Sequence, residues 1–179
     1  MRGIRIYILI SVVLLTTSGK VLSGQPKACG ISLSFNNLGV SLEQYETDGN
    51  VSEFSLHARF PEVFLGIKDI LGCDVSYTWN LKIGELESSE GNKVCFFAGP
   101  GAIVGWGQDY KTASGVYLGM KGRIGAECSY TRHKVTISAY IAPVLGAHVR
   151  KSEDSVKMDY YKNGLIYALI PEIGIKYRF

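Results

Sequence analysis

Residues 171–179 read Pro-Glu-Ile-Gly-Ile-Lys-Tyr-Arg-Phe, and from Glu172 onward every second side chain is apolar. Ile173, Ile175, Tyr177 and Phe179 alternate with Glu172, Gly174, Lys176 and Arg178. A strand has a period of two residues, so this stretch predicts a β-strand with one apolar face and one charged face. Two architectures use such a strand. In a soluble sandwich the apolar face meets a core and the polar face meets water. In a membrane barrel the apolar face meets lipid and the polar face lines the interior.

The same alternation recurs upstream. Ile31, Leu33 and Phe35 alternate with Ser32 and Ser34, and the pattern resumes at Val40 and Leu42 after Asn36 and Asn37. This predicts one long first strand with a bulge over about residues 29–45. Thr47, Asp48, Gly49 and Asn50 signal a hairpin turn. In the second strand Phe54, Leu56, Ala58 and Phe60 oppose Glu53, Ser55, His57 and Arg59. The third sets Val75, Tyr77, Trp79, Leu81 and Ile83 against Asp74, Ser76, Thr78, Asn80 and Lys82. A polar loop over 85–92 leads to a glycine-rich fourth strand over 94–107, and a second polar break covers 108–114. The fifth strand opposes Val116, Leu118, Met120, Ile124 and Ala126 to Tyr117, Lys121, Arg123 and Glu127. After a turn over 131–134, the sixth opposes Val135, Ile137, Ala139 and Ile141 to Thr136, Ser138 and Tyr140.

Two regions break the rhythm. Over 61–71, Val63, Phe64, Ile67, Ile70 and Leu71 recur at helical spacing after Pro61, which suits either a short amphipathic surface helix or an irregular loop. Over 150–164, Val156 to Lys162 forms either a seventh strand closed by an Asn163-Gly164 hairpin turn or part of a long loop. The last strand is then expected from about Leu165 to Phe179.

The amino terminus has the pattern of a secretory signal peptide: Arg2 and Arg5, an apolar run from Ile6 to Leu15, then small and polar residues. That run is too short to span a bilayer as a helix, which takes about 20 residues. Cleavage after Ser23 or after Gly24 is expected, giving a signal peptide over 1–24 and one domain over 25–179. The residues before Cys29 do not form a lipoprotein signal. Removing residues 1–23 takes away Arg2, Arg5 and Lys20, so the formal net charge falls from +3 to zero. An electrically balanced chain argues against a nucleic-acid partner, which requires a basic face. Glycine is 21 of 179 residues, about 12% against a usual value near 7%. Glycine lying among aromatic and β-branched residues suits tightly curved strands.

The pattern over the whole mature length, with the alternating last strand ending on Phe179, resembles the small bacterial outer-membrane β-barrel proteins of the OmpX and OmpA transmembrane class. The resemblance implies an all-β fold, a closed antiparallel up-and-down transmembrane barrel of eight strands in the outer membrane of a Gram-negative bacterium. It also implies that Tyr177 and Phe179 form the signal read by the barrel assembly machinery. Even strand number is the rule for such single-chain barrels, which favours a seventh strand. Outer-membrane lipid and the assembly machinery are the partners implied, with a possible extracellular partner bound through the loops. Tyr77, Trp79, Trp106, Tyr130, Tyr177 and Phe179 suit interfacial aromatic girdles.

With the apolar faces outward, the interior is expected to carry His57, Arg59, Asp74, Lys82, Lys121, Arg123, Glu127, Glu172, Lys176 and Arg178. Charges of both signs in a barrel just wide enough to be filled by side chains predict an ionic plug. The alternative is a narrow porin-like polar pore or a small-ligand site. Glu53, Ser55 and His57 lie on one strand face, and lipid-modifying outer-membrane barrels of the lipid A deacylase kind use a histidine and serine two residues apart plus a glutamate. Here the order is serine then histidine, on the polar face. The further alternative is a secreted lipocalin-like barrel for a small apolar ligand. No catalytic, metal or cofactor site is expected: His133 and His148 have no companions at metal-ligand spacing, and Gly99, Gly101, Gly105 and Gly107 are not followed by a phosphate-loop lysine. Cys29, Cys73, Cys95 and Cys128 allow two disulfides in an oxidising compartment. Cys95 and Cys128 fall near one rim, but by parity one looks inward and the other outward.

Overall fold

The structure, a computed structural model, describes residues 27–46, 48–60, 72–87, 92–109, 113–130, 133–151 and 155–179. The predicted signal peptide and the helix or loop over 61–71 lie outside the described residues. Among the described residues ten strand segments occur: β1 Lys27–Leu33, β2 Asn37–Tyr45, β3 Val51–Arg59, β4 Gly72–Glu87, β5 Lys93–Gln108, β6 Ser114–Tyr130, β7 Val135–Ile141, β8 Val144–Lys151, β9 Val156–Tyr160 and β10 Glu172–Arg178. A short helix, α1, covers Asn163–Ile166. All pairings are antiparallel, and β1 through β7 follow one another around the sheet. β10 pairs with β7 on one side and β1 on the other, closing an eight-stranded up-and-down barrel. Closure is sealed where the Phe179 N–H donates to the Lys27 carbonyl at 3.0 Å.

Three boundaries differ from expectation. The first predicted strand is a hairpin: β1 and β2 pair along their length, Leu33 opposite Leu38. The turn between them is held by the Ser34 N–H donating to the Asn37 carbonyl at 2.9 Å and the Ser34 hydroxyl donating to Asn36 Oδ1 at 2.8 Å. A bulge and a chain reversal both shift the parity of the apolar positions, so Leu33 and Leu38 alone do not distinguish them. Second, Asn163-Gly164 opens α1 instead of turning a hairpin. The Asp109 carboxylate accepts the N–H groups of Lys162 (3.1 Å) and Asn163 (2.8 Å), and these long-range bonds outweigh the local turn signal. Third, the last strand begins at Glu172, because residues 161–171 are taken up by α1 and its flanks.

β7 and β8 are one wall strand broken at Ala142-Pro143. They hold the same register against β6, with Ile141 opposite Ile124 and Val144 opposite Lys121. Pro143 has no N–H to give, yet its carbonyl still accepts the Gly122 N–H at 2.8 Å. Alongside this strand the wall is made by β10 next to β7 and β9 next to β8, with α1 inserted between them.

The polarity of the barrel is inverted relative to a soluble core. The outward positions of β5 read Phe96, Ala98, Pro100, Ala102, Val104 and Trp106, and those of β6 read Val116, Leu118, Met120, Gly122, Ile124, Ala126 and Cys128. No charged residue interrupts either series. Ile31, Leu33, Val40, Ile83, Met120, Ile173 and Ile175 each expose half or more of their surface. A shallow apolar trough of about 640 Å³ crosses the outside of β10, β1, β2 and β3. Meanwhile Ser32, Ser41, Ser55, Ser76, Thr78, Thr136 and Ser138 are buried together with ten charged or imidazole side chains of the strands, Arg123 and Asp74 among them. Glycine makes room where large inward groups meet: a Cβ on Gly105 would press into the Tyr117 ring and lie 2.7 Å from Asp74 Cβ.

Candidate functional site

The inward faces of β2, β3, β4, β6 and β10 converge on one lumen, where the alternation of each strand delivers an ionisable group every second or fourth residue. Two clusters result. In the cluster nearer the chain termini, the Lys176 ammonium donates to the Glu43 and Glu127 carboxylates and lies 3.4 Å from Glu53 Oε2. The Arg123 guanidinium donates to Glu53 and stacks over the rings of Tyr140 (3.7 Å) and Phe97 (4.9 Å). The Ser55 hydroxyl completes this group by donating to Glu53 Oε1 at 2.8 Å.

In the cluster toward the other end, Asp74 collects three donors: Arg59 Nε, the Tyr117 hydroxyl at 2.9 Å and the His57 ring, whose Nδ1 lies 3.0 Å away. Glu172 accepts from the Tyr140 hydroxyl at 2.9 Å and from Asn37 Nδ2 at 3.2 Å. His57 joins the two carboxylates, since its Nε2 lies 3.7 Å from Glu172 Oε2. Lys121 sits between the clusters and donates to the Ser76 hydroxyl at 3.0 Å. A charge buried without partners costs several kcal/mol, so these contacts are what make an ionic lumen tolerable.

Above the second cluster the lumen is capped. Tyr161 stacks flat on Tyr117, with centroids 4.4 Å apart and planes 3° from parallel, and its hydroxyl accepts from Arg59 Nη1 at 3.4 Å. Ile103, Tyr117, Val144 and Tyr161 form the one apolar cluster inside the barrel among the described residues. α1 rests on it and is tied down by Asp109. The spaces beside α1 amount to about 10 and 20 Å³, room for single water molecules.

The structure thus brings together His57, Arg59, Asp74, Lys121, Arg123, Glu127, Glu172 and Lys176 from the predicted interior set. Lys82 keeps inward parity, opposite Phe97, and stands at the rim, where it lines the terminal mouth and pairs with Glu85. Arg178 lies at the mouth, donating to the Ser129 hydroxyl and lying 5.1 Å from the Tyr45 ring centroid. Sequence reasoning left Glu43, Tyr117, Tyr140 and Asn37 out of the network and gave Glu53 a different role. All five were legible by strand parity: Tyr117 and Tyr140 had been placed on polar faces, and Glu43 follows outward Leu42.

Ser55 bonds Glu53 and His57 bonds Asp74, and no hydrogen bond joins Ser55 to His57 among the described residues. All four cysteines are free, and Cys95 stands opposite Glu127, one position from Cys128. His133 is exposed at the rim, and His148 is buried with its Nε2 3.3 Å from the Gly107 carbonyl. Tyr177 and Phe179 point outward at the terminal rim. Comparisons of the chain with protein-family models, curated proteins and solved structures find no match.

Proposed function

We propose that this chain is an integral outer-membrane β-barrel whose outer surface faces lipid, whose lumen is locked by its ionic network, and whose role is non-enzymatic. It acts through its loops in envelope integrity, adhesion or partner binding. The observation that carries this reading is the inverted polarity: uninterrupted apolar outward faces on β5 and β6 around a lumen of paired charges. Contiguous apolar surface of this extent on a monomer marks contact with lipid or another protein.

The dimensions support lipid. From Phe96 to Trp106 on β5 the outward residues span ten positions, about 33 Å at roughly 3.3 Å per residue. At a tilt of about 40° this is ~25 Å along the barrel axis, the height of the apolar band of transmembrane barrels. Phe96, Tyr177 and Phe179 lie toward one end of the band and Trp106 and Tyr160 toward the other, as interfacial aromatics do. The connections at the terminal end cover 46–50, 88–92 and 131–134, whereas the other end carries 34–36, 60–71, 109–113, 152–155 and 161–171, the last two flanking β9. Transmembrane barrels keep short turns on the periplasmic side and longer loops outside, so the α1 end faces outward from the cell.

A lipocalin-like carrier requires an apolar cavity within the barrel. Here the lumen is filled by Arg123, Lys176, Asp74 and their partners, and the apolar surface is on the outside. The reading is tested by expressing the full chain and washing the outer membranes with carbonate, then comparing gel mobility before and after boiling. Carbonate-resistant material with a heat-dependent mobility shift is expected. Release into the soluble fraction without a shift refutes it.

A further inference from the structure

The lumen closes unequally at its two ends. At the α1 end the remaining spaces hold a water molecule each, but the terminal end opens into a cavity of about 190 Å³, enough for a small solute. Its floor is Phe97, under which Arg123 is stacked, and its wall includes Tyr45, Asn80, Cys95, Ser129 and Arg178.

Most charges around this cavity are taken up in ion pairs. Lys82 and Lys93 are balanced by Glu85 and Glu87, and Glu127 is taken by Lys176. That leaves Arg178. Among the described residues no carboxylate lies within ion-pair distance of its guanidinium, and its buried Nε has no hydrogen-bond partner. Across the same cavity Asn80, only 3% exposed, has an Oδ1 without a donor. Leaving buried polar atoms unpaired is costly, and a ligand that pairs them recovers this cost. The two unmet needs differ: the guanidinium asks for an anionic acceptor, and the amide oxygen asks for a donor.

We propose that the terminal mouth of the barrel is a binding site for a small monocarboxylate that also carries a hydroxyl or amino donor. The carboxylate binds Arg178, the fork-shaped group best suited to it, and the donor group binds Asn80 Oδ1. The site depends on the barrel and its lumen, not on lipid, so it stands independently of the membrane reading.

Cys95 lines the cavity and reports its occupancy. The test measures, by peptide mass spectrometry, the rate at which N-ethylmaleimide alkylates Cys95 in the full chain folded in detergent micelles. The probes are L-lactate, acetate and inorganic phosphate. Lactate is expected to slow alkylation saturably, with acetate weaker. R178Q is expected to weaken lactate protection at least tenfold, and N80A to bring lactate down to the level of acetate. Absence of saturable protection by lactate in the unaltered chain overturns the proposal whatever the variants do. Protection undiminished in R178Q with the heat-dependent mobility retained, or phosphate protecting better than lactate, also overturns it.

Discussion

Arg123 on β6 and Glu53 on β3 are paired across the lumen, not along the wall, with side chains only 1% and 3% exposed. The pair ties together strands that are not neighbours in the sheet. Removing one partner strands the other charge in a dry interior. Glu53→Met alone should therefore cost about 3–5 kcal/mol, whereas the double variant with Arg123→Met should recover most of that loss. Urea unfolding in lipid vesicles, read as a double-mutant cycle, checks this. Equal loss in the single and double variants would show that the pair is not coupled.

Tyr117 reaches Asp74 because Gly105 has no side chain. Gly105→Val should force the ring aside and destabilise the barrel by about 1–3 kcal/mol through overpacking. The same variant should also release the Tyr161 stack on Tyr117, raising protease cleavage within residues 161–171. Unchanged cleavage would separate the cap from the lumen network.

Asp109 holds α1 by accepting two backbone N–H groups. Asp109→Ala should leave both donors unsatisfied and cost about 1–3 kcal/mol. Hydrogen exchange at Lys162 and Asn163 should accelerate while exchange in β5 and β6 stays slow. Exchange that speeds up equally throughout would show that the cap and the barrel unfold as one unit.

Met120 is 67% exposed near the middle of the outward β6 series. If that surface meets hydrocarbon, Met120→Arg should cost about 2–4 kcal/mol in vesicles. On a surface bathed in water the same change costs almost nothing. Refolding yield and urea midpoint in vesicles distinguish the two.

The alternation that exposed the barrel is a local property, which is why β3, β4, β5 and β6 were legible from residues such as Val75, Trp79 and Leu118. The hairpin at Asn36 shifts the apolar parity as a bulge would, and the helix at Asn163 depends on a partner distant in sequence. Asp109 caps α1 from the β5 end, and nothing near Asn163 announces it. Inward Tyr117 and Tyr140 lay on polar faces, but being uncharged they were not read as network members. Lys82 keeps the parity of its strand and stands at the rim, where the β4–β5 register shifts just beyond it.

The chain has two tryptophans, Trp79 on β4 and Trp106 on β5. Both point outward, 42% and 43% exposed. The most direct measurement is quenching of their fluorescence in vesicles of lipids brominated on the acyl chains, set against quenching by aqueous iodide. Strong quenching by the brominated chains with little effect of iodide is expected of a barrel that wears its apolar face toward lipid. Quenching by iodide alone contradicts it.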